Sequence, residues 1–168
     1  KEITEKVRIL RNLGQTSKNN HTHLGYNMRL DPIQAIVLSL KLKYLDDATR
    51  ARQSAASRYN KLIDETQLPV EYVHCDQSAT HSYHLYPIRI LKGDRNQVCE
   101  ELKKLEIDTM IHYPFLVIDQ PFYPKNLPRD DCPISKEAAR SILSLPLHEK
   151  ITEEEQQYVV NSLKSILS

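Results

Sequence analysis

From Ile33 to Leu62 the chain carries an apolar residue on every turn of what would be one helix: Ile33, Val37, Leu40, Tyr44, Ala48, Ala51, Ala55, Tyr59 and Leu62. The steps are three or four residues throughout, with charged side chains opposite, which is the pattern of an amphipathic helix. Its start is equally explicit. Asp31 suits the cap, Pro32 the first helical position, and Gln34 completes a capping-box-like pattern. Leu68-Pro69 ends it. Unbroken, such a helix runs about 33 residues and ~50 Å, more than a small domain can cover. The spacing therefore predicts that part of the stripe packs on a partner or on further segments of the same chain.

Upstream, Ile3, Val7, Leu10 and Leu13 give a shorter amphipathic helix with Gly14 as its terminator. A polar loop, QTSKNNHTH, leads into GYNMRLDPIQA (25–35), where Gly25, Asn27 and Arg29 alternate. Gly lets a backbone approach closely, an amide donates, and Arg carries a fixed charge, so this loop reads as an anion holder. Asn27 in a left-handed turn and Arg29 in a surface ion pair would explain the same residues.

Downstream the pattern turns to strand at VEYV (70–73) and HSYHLYPIRIL (81–91), with Pro87 arguing for an edge or a bulge. Asp94 and Gln97 cap a helix carrying Val98, Leu102 and Leu105, and IDTMIHY (107–113) reads as the next strand. Five prolines make 114–133 a long irregular loop, and such loops are often functional. A helix near 134–143, a short strand at LSLP and a last helix opened by the capping box Thr152-x-x-Glu155 complete the chain. The class is α+β: a small antiparallel sheet packed with helices and preceded by one long helix. The expected divisions are 1–31, a helix and loop; 32–67, the long helix; and 68–168, a C-terminal α+β domain.

At 168 residues the chain can bury a core. A net charge of +1, with no basic run interleaved with aromatics, excludes a nucleic-acid groove. No apolar run nears the ~20 residues a bilayer span needs. The opening KEITEKVRILRNLG is charged and helical rather than a secretory signal, and it begins on Lys1 instead of Met, which fits a piece of something longer. Cys75, Cys99 and Cys132 are odd in number and lack a CxxC pair, as expected of a reducing, cytoplasmic setting.

Few residues offer chemistry. His21-x-His23 lies in a loop, and His81-x-x-His84, on a strand, would point to opposite faces, so no metal site is expected. No GxSxG elbow is present, and three glycines are too few for a phosphate-cradling Gly-rich loop. His112 and Tyr113, in IHYP (111–114), end a strand and open the Pro-rich loop, where a side chain can meet a ligand. On residue type alone a packed Tyr113 and a His112 bonded to a backbone carbonyl are the commoner arrangement.

Taken in order, LRNLGQ, GYNMRLDPIQA, RYN (58–60), HSYHLYPIRI, IHYP with QPFY, and LSLPLHEKITEEE resemble the C-terminal portion of the DegT/DnrJ family, over essentially the whole chain. These are fold type I sugar aminotransferases that use pyridoxal phosphate. The resemblance implies a homodimer in which Asn27 donates to the cofactor phosphate of the neighbouring subunit, with Arg29 orienting the loop. It implies that His112 and Tyr113 face a sugar-nucleotide substrate, with His84 and Gln120 at matching positions, and that glutamate is the amino donor. Two departures matter. Leu116 and Ile118 stand where the family commonly shows Pro and His, which leaves the sugar open. The family's Schiff-base lysine, the Asp under the ring nitrogen and the aromatic over the ring lie upstream of LRNLGQ, so this chain is expected to be inactive alone. Because the position that separates them is missing, a dehydratase of the same family remains an alternative, and the long apolar stripe leaves a stand-alone binding or assembly module as another.

Overall fold

Two helices, not one, carry the stripe that starts at Ile33. In the computed structural model, which describes residues 1–76, 78–129 and 131–168, they are Pro32–Leu42 and Leu45–Thr66. At the break the Tyr44 N–H bonds to the Lys41 carbonyl, a three-residue return that ends the regular ladder. The chain divides into two units, Lys1–Leu45 and Asp46–Ser168.

The first unit starts with α1 (Glu2–Arg11), whose end is built by another segment. Leu13 takes a left-handed conformation (φ 60°), and the Gly14 N–H returns to the Ile9 carbonyl at 2.9 Å. The carbonyls of Leu10 and Arg11 are then taken by the N–H groups of Tyr26 and Met28, at 2.7 and 2.9 Å. The polar loop between them is a small antiparallel hairpin, β1 (Gln15–Ser17) and β2 (Asn20–His21), turning through Asn19 at φ 62°. Its strands are too short and polar for a periodicity to register. In α2 (Pro32–Leu42) Asp31 Oδ1 caps the Ile33 N–H at 2.8 Å, as the sequence predicts, although among the described residues Gln34 makes no return bond. No residue of α2 is buried; Ile33, Ile36, Val37 and Leu40 are all exposed.

The second unit holds α3 (Leu45–Thr66) from Asp46 onward, followed by a three-stranded antiparallel sheet, in order β3 (Val70–Tyr72), β4 (Tyr86–Ile90), β5 (Ile142–Leu145). With it pack α4 (Arg95–Lys104), α5 (Pro133–Ser141) and α6 (Glu153–Leu167). Tyr86, Ile88 and Ile90 face inward on β4 and meet Ala55, Ala56, Tyr59 and Ile63 of α3 and Val159, Val160 and Leu163 of α6 in one core. Both predicted caps are present: Asp94 accepts from Asn96 and Gln97, and Thr152 and Glu155 form the reciprocal capping box.

The RYN stretch is a polar clamp across this core. Arg58 donates to Gln156 Oε1 at 2.7 Å and to the Ile151 carbonyl at 3.2 Å. The Tyr59 hydroxyl donates to the Pro146 carbonyl at 3.0 Å, and Asn60 accepts from the Tyr86 hydroxyl at 2.6 Å. Buried polar groups are stable only when paired in this way.

Three strand expectations need correction. Pro87 lies in the central strand, not at an edge, opposite Ser144. It is tolerated because the Ser144 backbone is committed to Met110 on its other side and β3 stops opposite Ile88, so no partner asks for an N–H at Pro87. Residues 81–85 are not strand. Tyr83 sits at φ 46°, and the segment is held by α3 side chains, Arg52 donating to the Ser82 carbonyl and Gln53 to that of His81. The span 107–113 contributes a single bridge, Met110 to Ser144, before Tyr113 turns away at φ 60°. The Pro-rich loop contains one short 3-10 turn, Val117–Asp119, with position 130 outside the described residues. Among the described residues no helix is long and apolar enough to cross a membrane.

Candidate functional site

In the first unit the alternation of Gly25, Asn27 and Arg29 resolves into three tasks. Gly25 permits a close approach, and its neighbour is Gly14. Asn27 pairs with Asn12 in an antiparallel bridge, so its backbone position is set by the end of α1. Arg29 donates Nε–H to Asn27 Oδ1 and Nη1–H to Asn12 Oδ1, both at 3.2 Å. Asn12 in turn donates to Gln15 Oε1.

The consequence is directional. With its oxygen held by the guanidinium, the Asn27 side chain presents its NH2 group, which makes no hydrogen bond among the described residues, on an exposed loop. An oriented amide donor beside a permanent cation fits a phosphate oxygen, and both residues are open to a group arriving from outside the unit. The supporting pair Asn12 and Gln15 was not singled out from the sequence. Its signal was LRNLGQ, which contains both.

In the second unit His112 is half-buried, with Nδ1 3.0 Å from the hydroxyl oxygen of Ser144, not against a backbone carbonyl. Tyr113 does not pack: it is 84% exposed, its ring centroid 6.5 Å from that of His112. His84 is exposed two residues before β4, and Gln120 is half-buried just after the 3-10 turn. Among the described residues no hydrogen bond or ring contact joins His84 or Gln120 to His112. Asn27 and Arg29 belong to the first unit and the other four residues to the second. Sequence reading took LSLP as a strand and missed Ser144, because a serine on a strand has no signal until its cross-strand neighbour is known.

The remaining histidines have local partners. His21 faces the Leu13 carbonyl through Nδ1 at 2.9 Å, His23 the Thr22 hydroxyl, and His81 accepts the Tyr83 N–H. Among the described residues no three His, Cys, Asp or Glu side chains are grouped to hold a metal ion.

Comparison with known proteins sets this geometry in a family. The model of the DegT/DnrJ/EryC1/StrS aminotransferase family matches residues 1–164. The chain is 38% identical over 165 residues to a pleiotropic regulatory protein of Geobacillus stearothermophilus, covering 96% of this chain and 44% of that one. It is 32% identical to the dTDP-3-amino-3,6-dideoxy-alpha-D-galactopyranose transaminase of Aneurinibacillus thermoaerophilus, covering 96% and 43%. Among solved structures, DesV of S. venezuelae, in complex with a ketimine intermediate, superposes with a TM-score of 0.87 at 28% identity, covering 98% of this chain and 44% of that one. The chain therefore spans less than half the length of these relatives. On the match across 164 of its residues, with the fold in agreement, the chain belongs to the DegT/DnrJ/EryC1/StrS aminotransferase family.

Proposed function

We propose that this chain is the C-terminal, phosphate-holding and substrate-facing part of a pyridoxal-phosphate-dependent aminotransferase that acts on a keto sugar nucleotide with glutamate as donor. The lysine that carries the cofactor belongs, in this reading, to a segment outside these 168 residues. Pyridoxal phosphate, when bound, supplies the electron sink that amino transfer requires. The observation that carries the reading is the Asn27 amide, fixed in direction by Arg29 and supported through Asn12. In a homodimer this donor reaches the phosphate held by the neighbouring subunit, while Arg29 adds charge without competing for Asn27's donor. His112 and Tyr113 offer a half-buried ring and an exposed phenol to the sugar nucleotide, a substrate class consistent with the transaminase relative's name. His84 and Gln120 are further candidates for that surface.

The test uses two polypeptides. Treated with pyridoxal phosphate and borohydride, the 168-residue chain is expected to gain no specific lysine adduct, while the complete gene product gains one. A specific adduct on a lysine of the 168-residue chain, with turnover, overturns the reading.

The exposed apolar residues of α2 favour a second reading, a non-catalytic assembly module of the same fold. Light scattering tests it: a monomer of the 168-residue chain at micromolar concentration removes this reading.

A further inference from the structure

The Ser144–His112 contact determines what kind of group His112 offers. Ser144 sits on β5, 5% exposed, between Pro87 on β4 and Met110. Its backbone N–H and carbonyl are both committed to Met110, at 2.8 and 3.2 Å. Its hydroxyl has one partner among the described residues, Nδ1 of His112 at 3.0 Å.

Two arrangements satisfy that distance. If Nδ1 carried the imidazole proton, the serine oxygen would accept it and the hydroxyl proton would be stranded in a closed site, the costly side of an unmade hydrogen bond. If the hydroxyl donates to Nδ1, nothing is stranded, and the proton of the neutral ring must sit on Nε2. Nε2 makes no hydrogen bond among the described residues, and the neighbouring Tyr113, at φ 60°, is exposed, with its ring centroid 6.5 Å from that of His112.

We infer that Ser144 is a positioning residue that holds the neutral form of His112 as its Nε2–H tautomer, so that His112 meets a ligand as a hydrogen-bond donor through Nε2. The atom it meets is then an acceptor oxygen, such as a hydroxyl or phosphoryl oxygen. Only the identity of that ligand, a sugar nucleotide, rests on the function proposed above; the tautomer does not.

The test is long-range proton–nitrogen NMR on the histidine-labelled chain at about pH 9, well above the ordinary imidazole value. His112→Gln identifies the resonances by their disappearance. The native chain is expected to show Nδ1 unprotonated and Nε2 protonated. Ser144→Ala should move both nitrogens toward tautomer-averaged shifts, and Ser144→Thr, which keeps the hydroxyl, should restore them. A protonated Nδ1 in the native chain, or shifts unmoved by Ser144→Ala in a chain whose other histidines are unchanged, overturns the inference. In the complete enzyme Ser144→Ala should raise the KM for the sugar nucleotide about tenfold, the scale of one neutral hydrogen bond, with kcat far less affected. A tautomer that moves while KM does not leaves the Ser144 lock standing and removes His112 from the substrate surface instead.

Discussion

A Cβ built on Gly25 would stand 2.0 Å from the amide nitrogen of Gly14, and one on Gly14 would stand 1.8 Å from the carbonyl oxygen of His23. The two glycines therefore occupy one narrow crossing, where the loop carrying Asn27 passes over the end of α1. Gly14 also sits at φ 72°, but Gly25 is required for space alone. Gly25→Ala should displace the loop and break the bonds from Tyr26 and Met28 to α1, costing about 1–3 kcal/mol. Hydrogen exchange should show the loss at 10–30, with the sheet of the second unit unchanged. Protection of Tyr26 and Met28 equal to that of the native chain would contradict the crossing.

Removing the donor and removing its support should weaken phosphate binding to different degrees. In the complete enzyme Asn27→Ala is expected to weaken pyridoxal phosphate retention about tenfold or more, the scale of one hydrogen bond to a charged group. Arg29→Met should give a smaller loss, since Asn27 remains but rotates freely, and Asn27→Asp a larger one, since a carboxylate repels a phosphate. Equilibrium dialysis followed at the cofactor's absorbance checks the order. Equal retention in all three variants would remove the loop from the site.

The RYN clamp makes a prediction about stability alone. Arg58→Met leaves the fully buried Gln156 and the Ile151 carbonyl without their donor, and should cost about 1–3 kcal/mol in urea unfolding. Tyr59→Phe leaves only the Pro146 carbonyl unpaired and should cost less, about 1 kcal/mol. A reversed order would show that the tyrosine hydroxyl, not the guanidinium, closes the core.

Burial holds the Tyr59 and Tyr86 hydroxyls well above the ordinary tyrosine value; nearby Glu155 adds to the effect at Tyr59, and neighbouring tyrosines do so at Tyr86. Their rings stack with centroids 4.9 Å apart. In the unfolded chain both titrate near ~10. Above that pH the unfolded state loses protons that the folded state keeps, so stability present at lower pH declines as pH rises. Denaturation midpoints should therefore be flat up to about pH 9.5 and fall beyond it, with a shallower fall in Tyr59→Phe. A flat profile to about pH 11 would contradict the burial of these hydroxyls.

Elements with strong local chemistry were legible in the residues. Asp31-Pro32 marks the start of α2, Asp94 that of α4 and Thr152 with Glu155 that of α6, because each cap uses side chains within three residues of the backbone it satisfies. The errors share another cause. HSYHLYPIRIL has the composition of a long strand, yet only 86–90 find ladder partners, since β5 is short and Tyr83 turns left-handed. IDTMIHY likewise meets β5 at one bridge. Strand length depends on a partner far along the chain, which composition does not carry.

By itself the sequence determined the class, α+β, and the helix caps, which follow from residue type and short-range spacing, and it singled out Asn27, Arg29, His112 and Tyr113 as candidates. Tertiary structure alone decided that Arg29 turns Asn27's donor outward, that Ser144 meets His112 across 32 positions, and that the stripe from Ile33 divides into an exposed helix and a core helix. The physical reason is range. A cap or a periodic stripe is settled by neighbours in the chain, whereas the direction of a donor and the tautomer of a ring are settled by whichever groups the fold brings within 3 Å or so of them.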